Sequence, residues 1–419
     1  MPRSSRASGM LEPVCTLPME PITHLMTGAC LARAGFNRKA AYATLAMTLA
    51  AEAPDLDVLW SAGGPVAAFQ HHRGITHTLI GLPFEGLIVV VAVWLFHRWR
   101  VRRAKAAENK VGVGASEAGA SGDSAVARPL TAAPVRWGLL YGFVLIALVS
   151  HLLLDWTNNY GLRPFFPFNA HWYAGSIVFI FEPVLFVVLL IALVAPALFG
   201  LINSEVGARR ETFRGRGWAI FALAAMVGLW GWREVEHNAA EQLALAASYG
   251  ARDSGLAESA GAAGGADSAA QVLPAQVLRV TASPYPGNPY RWHTVVETPE
   301  FYQMATVDTL RSTVATDPEQ DLFYKPPTTL ATLVAKRSWL GEVYLDWSSW
   351  PVVTEMGPVV PIGAPAGTAD WTAVRFMDLR FLYDTPLMQG RSGPPLSGTV
   401  YVDADRRVAR IELSGHVQR

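Results

Sequence analysis

The sequence predicts an α-helical multi-pass membrane bundle, with four spanning helices and an N-terminal pair of short helices, followed by a soluble strand-rich domain. Apolar residues come in blocks long enough to cross a bilayer, and the composition changes near residue 272. The 419 residues are 51% hydrophobic and 16% charged, with a mean hydropathy of +0.23. The length allows two or three domains, and a formal net charge of +0 gives no electrostatic argument for a nucleic-acid partner.

Four segments are predicted to span a membrane. They cover approximately residues 78–96, 137–154, 177–202 and 218–232. An Ala-rich stretch before them, 22–53, is predicted to form two shorter helices broken at 35–39, which either span or form a re-entrant hairpin. Residues 1–18 have no signal-peptide pattern and are predicted to be a disordered extension.

Basic residues predict the orientation. They cluster after the first and third spanning segments and at the break in the N-terminal pair, whereas the intervening loops, 58–77 and 156–176, carry only Arg73 and Arg163. By the positive-inside rule, the basic loops are cytoplasmic in a bacterial-type inner membrane, and the intervening loops face outward. A flexible cytoplasmic loop is predicted at 104–134.

The C-terminal part, residues 272–419, is predicted to be soluble, strand-rich and extracytoplasmic, because it follows the last outward-running helix. Alternating runs at 399–402 and 408–413 are typical of strands, and Pro286-Gly287-Asn288-Pro289 is typical of a turn. A Gly/Ala-rich linker is predicted at 250–270.

Histidine and aspartate clusters lie beside the apolar segments, in the motifs PDLD, HHRGITH and HLLLD. The predicted metal ligands are His24, Asp55, Asp57, His72, His77, His151 and Asp155. The predicted topology brings all of them to the outward side at similar depth, and ionisable groups beside hydrocarbon are costly enough to indicate a function. Each motif alone is typical of a satisfied polar pair or a capped loop, whereas their convergence favours one shared site.

The residue types indicate the chemistry of that site. His151 and Asp155 are four residues apart and share a helix face, so both can reach one ion. Imidazole and carboxylate ligands suit zinc first, with manganese and iron as alternatives, and a bound ion with an open position would activate water. Asp55 or Asp57 would then act as ligand or base, and Arg73 would stabilise an anionic oxygen. Glu182 either supports the ligands or is an ordinary bundle carboxylate.

The ordered motifs resemble the YdjM-type family of inner-membrane-associated, metal-dependent hydrolases, also described as LexA-binding. The similarity covers about residues 19–200, through ITHLMTGACLA, PDLD, HRGITHT and HLLLDWTNNYG. It implies a multi-pass membrane protein, metal-dependent hydrolysis, the seven ligand positions given above and a regulatory protein partner. The region 104–134 and the domain from about 272 onward lie outside the family pattern.

The leading hypothesis is a membrane-bound hydrolase in which a metal-activated water attacks an ester or phosphoester, with membrane lipids as neighbours and a lipid-linked or envelope substrate. The alternative is a non-enzymatic envelope protein with a structural metal site and a C-terminal binding domain. An ion transporter is disfavoured, since the carboxylates cluster near one surface rather than along a path through the midplane.

Overall fold

The computed structural model describes residues 21–115, 134–205, 215–249, 276–317, 321–360, 371–383 and 395–418. The chain divides into two compact units, which are described separately. The helical unit comprises 19–59 and 71–234, and the C-terminal unit comprises 60–70 and 235–419 together with the N-terminal 1–18. The predictions for 1–18 and 250–270, and for most of 104–134, lie outside the described residues.

The helices begin and end as follows: α1 Pro21–Ala34, α2 Ala43–Ala50, α3 Pro65–His71, α4 Leu82–Ala115, α5 Trp137–Thr157, α6 Pro183–Glu205, α7 Arg216–Ala246, α8 Leu330–Lys336 and α9 Trp339–Trp347. The predicted short pair is confirmed as α1 and α2, separated by a 3₁₀ turn at Phe36–Arg38. At 1.5 Å per residue these helices are about 21 Å and 12 Å long, so neither crosses a hydrocarbon core of about 30 Å.

The prediction of four spanning helices is wrong in number. Among the described residues, two helical stretches are long and apolar enough to cross a membrane, Leu82–Ala106 in α4 and the whole of α5. The third predicted segment becomes helical only at Pro183, which leaves a shorter apolar stretch, Pro183–Phe199. The fourth lies within α7, where Arg216 and Arg233 closely flank a stretch rich in Gly and Trp.

Small residues allow the helices of the helical unit to approach closely. The core joins Ala46, Met47 and Ala50 of α2 to Val144 and Leu148 of α5, all fully buried. Gly28 on α1 lies against α2, where a Cβ atom would come within 2.5 Å of the Met47 carbonyl oxygen. This tight packing of α1, α2 and α5 brings the segment that follows α2 to the C-terminal end of α5.

The C-terminal unit contains two antiparallel five-stranded sheets, which confirms the strand-rich prediction. The strands are β1 Arg279–Tyr285, β2 Asn288–Glu297, β3 Phe301–Asp308, β4 Thr313–Ala315, β5 Leu322–Tyr324, β6 Pro351–Pro358, β7 Thr372–Asp378, β8 Gly398–Val402, β9 Val408–Leu413 and β10 His416–Val417. The first sheet has the order β1-β2-β3-β4, with β5 also paired to β3, and the second has the order β10-β9-β8-β7-β6. The predicted turn joins β1 to β2, with Gly287 in the left-handed region at φ 68°.

The first sheet is covered by the last part of α7. Ala240 and Ala244 of that helix pack with Trp292, Val296 and Phe301 in one buried cluster. The C-terminal unit therefore draws its core partly from a helix whose first half belongs to the helical unit.

Candidate metal centre

Four of the predicted ligands converge on one point. They are Asp55, His77, His151 and Asp155, and one ligand atom from each lies within 4.8 Å of all the others. His151 and Asp155 share a face of α5, one turn apart, in agreement with their spacing. Asp55 comes from the 3₁₀ segment after α2, and His77 ends a short 3₁₀ turn before α4.

The donor–donor distances match the edges of a metal coordination shell. The two Nε2 atoms of His77 and His151 are 3.1 Å apart. Asp155 Oδ2 lies 3.2 Å and 3.3 Å from these nitrogens, and Asp55 Oδ1 lies 3.4 Å and 3.6 Å from them. Ligand atoms at about 2.0–2.2 Å from a central ion stand roughly 3–3.6 Å from one another, so these residues fit a divalent ion.

The hydrogen bonds of the two histidines aim their Nε2 lone pairs at this point. His151 Nδ1 donates to the Ala51 carbonyl oxygen at 2.7 Å, which leaves its Nε2 without a proton when the ring is neutral. His77 Nδ1 lies 3.0 Å from Thr76 Oγ1 and 3.6 Å from Asp57 Oδ2. Such partners on the far ring nitrogen are the usual companions of metal-binding histidines.

The electrostatics of the group also favour a cation. Burial lowers the pKa of His77, but hydrogen bonds and charges from Asp155 and Asp55 outweigh burial and raise this pKa to about 9. Burial works against ionisation of Asp55 as well, yet His151, His77 and His24 hold the pKa of its carboxyl below the usual range. Asp55 Oδ2 and Asp155 Oδ2 are buried without a hydrogen-bond partner in the described part of the chain, as expected of atoms that serve a cation.

The other three predicted ligands surround the four donors. Asp57 accepts the backbone N–H of Arg73 at 2.8 Å and lies 3.3 Å from His72 Nδ1. His24 Nε2 lies 3.5 Å from Asp155 Oδ1, and its ring packs on the His151 ring with centroids 3.9 Å apart. In this structure, Asp57, His72 and His24 therefore contact the residues of the four-donor group.

Arg73 is fully buried and its guanidinium is occupied by protein groups. One nitrogen donates to Asp155 Oδ1 at 2.5 Å, and the other donates to the Gly161 carbonyl at 2.5 Å and Asn158 Oδ1 at 3.3 Å. The residue adopts φ 53°, a left-handed conformation that is costly for a side chain with a Cβ atom. These contacts fix Asp155 against the loop that follows α5, so Asn158 shapes the site as part of this anchor.

Two further carboxyl groups near the site were not among the predicted ligands. Glu52 precedes PDLD, and burial, with the nearby charges of Asp55 and Asp155, raises its pKa to about 8. Glu85 is the single acidic residue between Leu82 and Phe96, in the first turn of α4, with a buried Oε2 atom. A lone carboxylate in an apolar helix was the sequence signal that could have identified Glu85.

A small cavity of about 30 Å³ borders the group. Its lining includes His24, Asp155, Asn158 and Glu182. A cavity of this volume is large enough for a water molecule, and its polar lining offers hydrogen-bond partners. Glu182 also accepts a hydrogen bond from Arg233 at 2.6 Å, and both side chains are buried. Glu182 therefore lines this cavity and forms a buried ion pair between α6 and α7.

Comparison with known proteins identifies relatives of the helical part. An uncharacterized protein of Bacillus subtilis (strain 168), YfhP, is 23% identical over 177 residues, which cover 40% of this chain and 43% of YfhP. No solved structure matches the chain significantly. A model of the YdjM inner membrane protein family matches residues 19–240, slightly more than half of the chain and all of the ligand motifs. The chain therefore belongs to the YdjM inner membrane protein family.

Proposed function

We propose that this protein is a membrane-bound, metal-dependent hydrolase that cleaves an ester or phosphoester. The observation that carries the proposal is the convergence of two imidazole nitrogens and two carboxylate oxygens at edge lengths of 3.1–3.6 Å. A divalent ion held there, zinc first, would polarise the substrate and activate water for attack.

The surrounding residues would keep the donors in position. Asp57 holds the backbone of Arg73 and faces His77 Nδ1, and the Ala51 carbonyl fixes the orientation of His151. Arg73 holds Asp155. Asp55 remains the candidate for ligand or base, since its side chain is the most exposed of the four at 14% and its Oδ2 has no hydrogen-bond partner among the described residues. The predicted catalytic roles of Asp57 and Arg73 are proposals that rest on these contacts.

Exposed apolar side chains beside the ligands support a lipid-linked substrate. Leu56 lies between the two motif aspartates and is 60% exposed, and Ile75, two residues before His77, is 54% exposed. Phe84, at the start of α4, is 67% exposed. Buried charged donors next to exposed apolar side chains are expected where a site meets the boundary between lipid and water. The proposed location is the outer face of the inner membrane.

A structural metal site is the second candidate function. Four protein donors already complete the tetrahedral shell that is usual for structural zinc, and three of them are buried. The cavity beside Asp155 favours the hydrolase, because it offers room for water at the edge of the group.

Metal content and hydrolysis measured on one preparation separate these functions. Detergent-purified protein is stripped with a chelator, reloaded with zinc or manganese, and assayed on a chromogenic phosphodiester and on phospholipid in mixed micelles. Metal-dependent hydrolysis that is lost in Asp55→Asn supports the hydrolase. Tightly held stoichiometric metal without hydrolysis of any tested ester favours the structural role, and failure to bind metal after reloading refutes both.

A further inference from the structure

The connection between the two ligand motifs enters the C-terminal unit. Asp57 and His72 belong to the helical unit, whereas residues 60–70 between them belong to the C-terminal unit. We call residues 58–71 the inter-motif loop. Its sequence lies inside the region that matches the family, but the residues that hold it, in α9 and at 418, lie beyond that region.

Apolar contacts hold the helical part of the inter-motif loop. Within α3, Val66, Ala67, Ala68 and Phe69 are buried. The Phe69 ring stacks on Tyr344 of α9 with centroids 5.8 Å apart and meets the edge of Trp347 at 5.0 Å. Offset and edge-to-face aromatic contacts of this kind add to the stabilisation that burial itself provides.

Polar contacts fix the same segment in register. The Gln418 side chain accepts the Val66 N–H at 2.9 Å and donates to the Gly63 carbonyl oxygen at 2.9 Å. Gly64 between them has φ 99°, and a Cβ atom there would come within 2.5 Å of the Gln418 amide. Trp339 Nε1 donates to Gln70 Oε1 at 2.8 Å. The side chain of Gln418 thus satisfies backbone groups at the N-terminus of α3, which the helix itself leaves unpaired.

The two ends of the inter-motif loop are joined at the candidate metal centre. Asp57 Oδ2 accepts the Arg73 N–H at 2.8 Å, and Asp57 Oδ1 lies 3.3 Å from His72 Nδ1. The same Oδ2 atom lies 3.6 Å from Nδ1 of the proposed ligand His77. Any displacement of the loop ends therefore acts first on the residue that orients His77.

We propose that the C-terminal unit positions the metal centre through the inter-motif loop, with Phe69 and Gln418 as positioning residues. The loop is closed at one end by Asp57 and Arg73, and its middle is held by α9 and Gln418. Releasing the middle frees backbone dihedral angles on both sides and weakens the closure at Asp57. The effect on metal binding rests on the proposed metal centre, whereas the coupling of the two motifs to the C-terminal unit does not.

The first test is hydrogen–deuterium exchange of the full-length, detergent-solubilised protein without metal. Phe69→Ala is compared with Phe301→Ala, which makes the same truncation at a buried site in the core of the first sheet. We expect Phe69→Ala to raise exchange in peptides covering 51–59 and 71–82, and Phe301→Ala to leave both peptides unchanged. Faster exchange confined to 60–70 and to the rest of the C-terminal unit would overturn the proposal.

The second test is the zinc affinity of the same variants. Loss of a partner that orients a ligand typically weakens metal binding by about 10–100-fold, and we expect a loss of about tenfold or more for Phe69→Ala and none for Phe301→Ala. Equal affinities in a wild-type protein that binds zinc would overturn the effect on the metal. A wild-type protein that binds no zinc would refute the proposed function, and the exchange experiment would still decide the coupling. If Phe69→Ala fails to fold, Gln418→Ala, which removes only the two hydrogen bonds, replaces it in both tests.

Discussion

Replacing each aspartate of the metal centre by asparagine should separate metal binding from fold stability. Asp55→Asn and Asp155→Asn each remove one carboxylate from the four-donor group, so both should abolish near-stoichiometric zinc binding. Only Asp155 forms an ion pair with the fully buried Arg73, at 2.5 Å. Asp155→Asn therefore leaves a buried cation without its counter-charge, whereas Asp55→Asn does not.

The magnitude follows from the burial of the pair. Breaking a buried ion pair by removing one charge costs about 3–5 kcal/mol. In a unit of this size, each kcal/mol corresponds to about 2–4 °C in the unfolding midpoint, so Asp155→Asn should lower the midpoint by roughly 6–20 °C. Asp55→Asn should leave the midpoint of the metal-free protein within a few degrees of the wild type.

The assay is thermal unfolding in detergent with a chelator, followed by metal analysis after zinc reloading. Asp405→Asn, at an exposed position in the turn between β8 and β9, is the control for loss of a negative charge. Equal midpoints for the two site variants would refute the buried Arg73–Asp155 pair. Unaltered zinc content in either variant would refute the four-donor group.

Two further predictions concern packing and protonation. Gly28→Ala should lower the free energy of unfolding by about 1–3 kcal/mol, because its Cβ overlaps α2, whereas Gly138→Ala on α5 meets nothing within 4 Å and should be neutral or stabilising; chemical denaturation of both variants would test this. Burial lowers the pKa of His293 to about 4, while Nε2 donates to the Leu379 carbonyl. Because the unfolded chain binds a proton near pH 6.5 and the folded chain does not, stability should fall by about 1.4 kcal/mol per pH unit between about pH 6 and 4; denaturation midpoints against pH should be flatter in His293→Gln, and equal slopes would refute this.

Local patterns sufficed for the elements that carry the ligands. The helix break at 35–39, the helix that carries His151 and Asp155, and the strands at 399–402 and 408–413 follow from composition and periodicity within a few residues. Four of the seven predicted ligands meet at one point, as the topology argument anticipated. Those predictions depend on short-range spacing, which the backbone geometry of a helix or strand fixes.

Predictions that depend on distant partners could not be made in the same way. Arg73 follows two histidines in a polar motif, and only residues 155–161 decide that its guanidinium is buried and occupied. The segment from Pro65 to Phe69 is apolar and carries no sign of its destination, since its hydrogen-bond partner Gln418 is 352 residues away from Val66. The third and fourth spans were overestimated because apolar runs continue past the points where Pro183 and Arg233 limit the helical apolar stretch.

The charges at the centre give an independent reason to expect a divalent ion. Asp55, Asp57 and Asp155 contribute three negative charges in near contact, and Arg73 contributes one positive charge, which leaves −3 + 1 = −2. Isolated charges in a buried site are strongly disfavoured, so the remaining charge must be balanced locally. Without an ion, a proton on His77 balances part of it, in agreement with the raised pKa of that residue. A divalent cation balances all of it and also satisfies the facing lone pairs of His77 and His151, which a single proton between the two rings leaves incomplete. Zinc binding should therefore release protons, and calorimetry in buffers of different ionisation enthalpy would detect that release; a binding enthalpy independent of the buffer would contradict this charge balance.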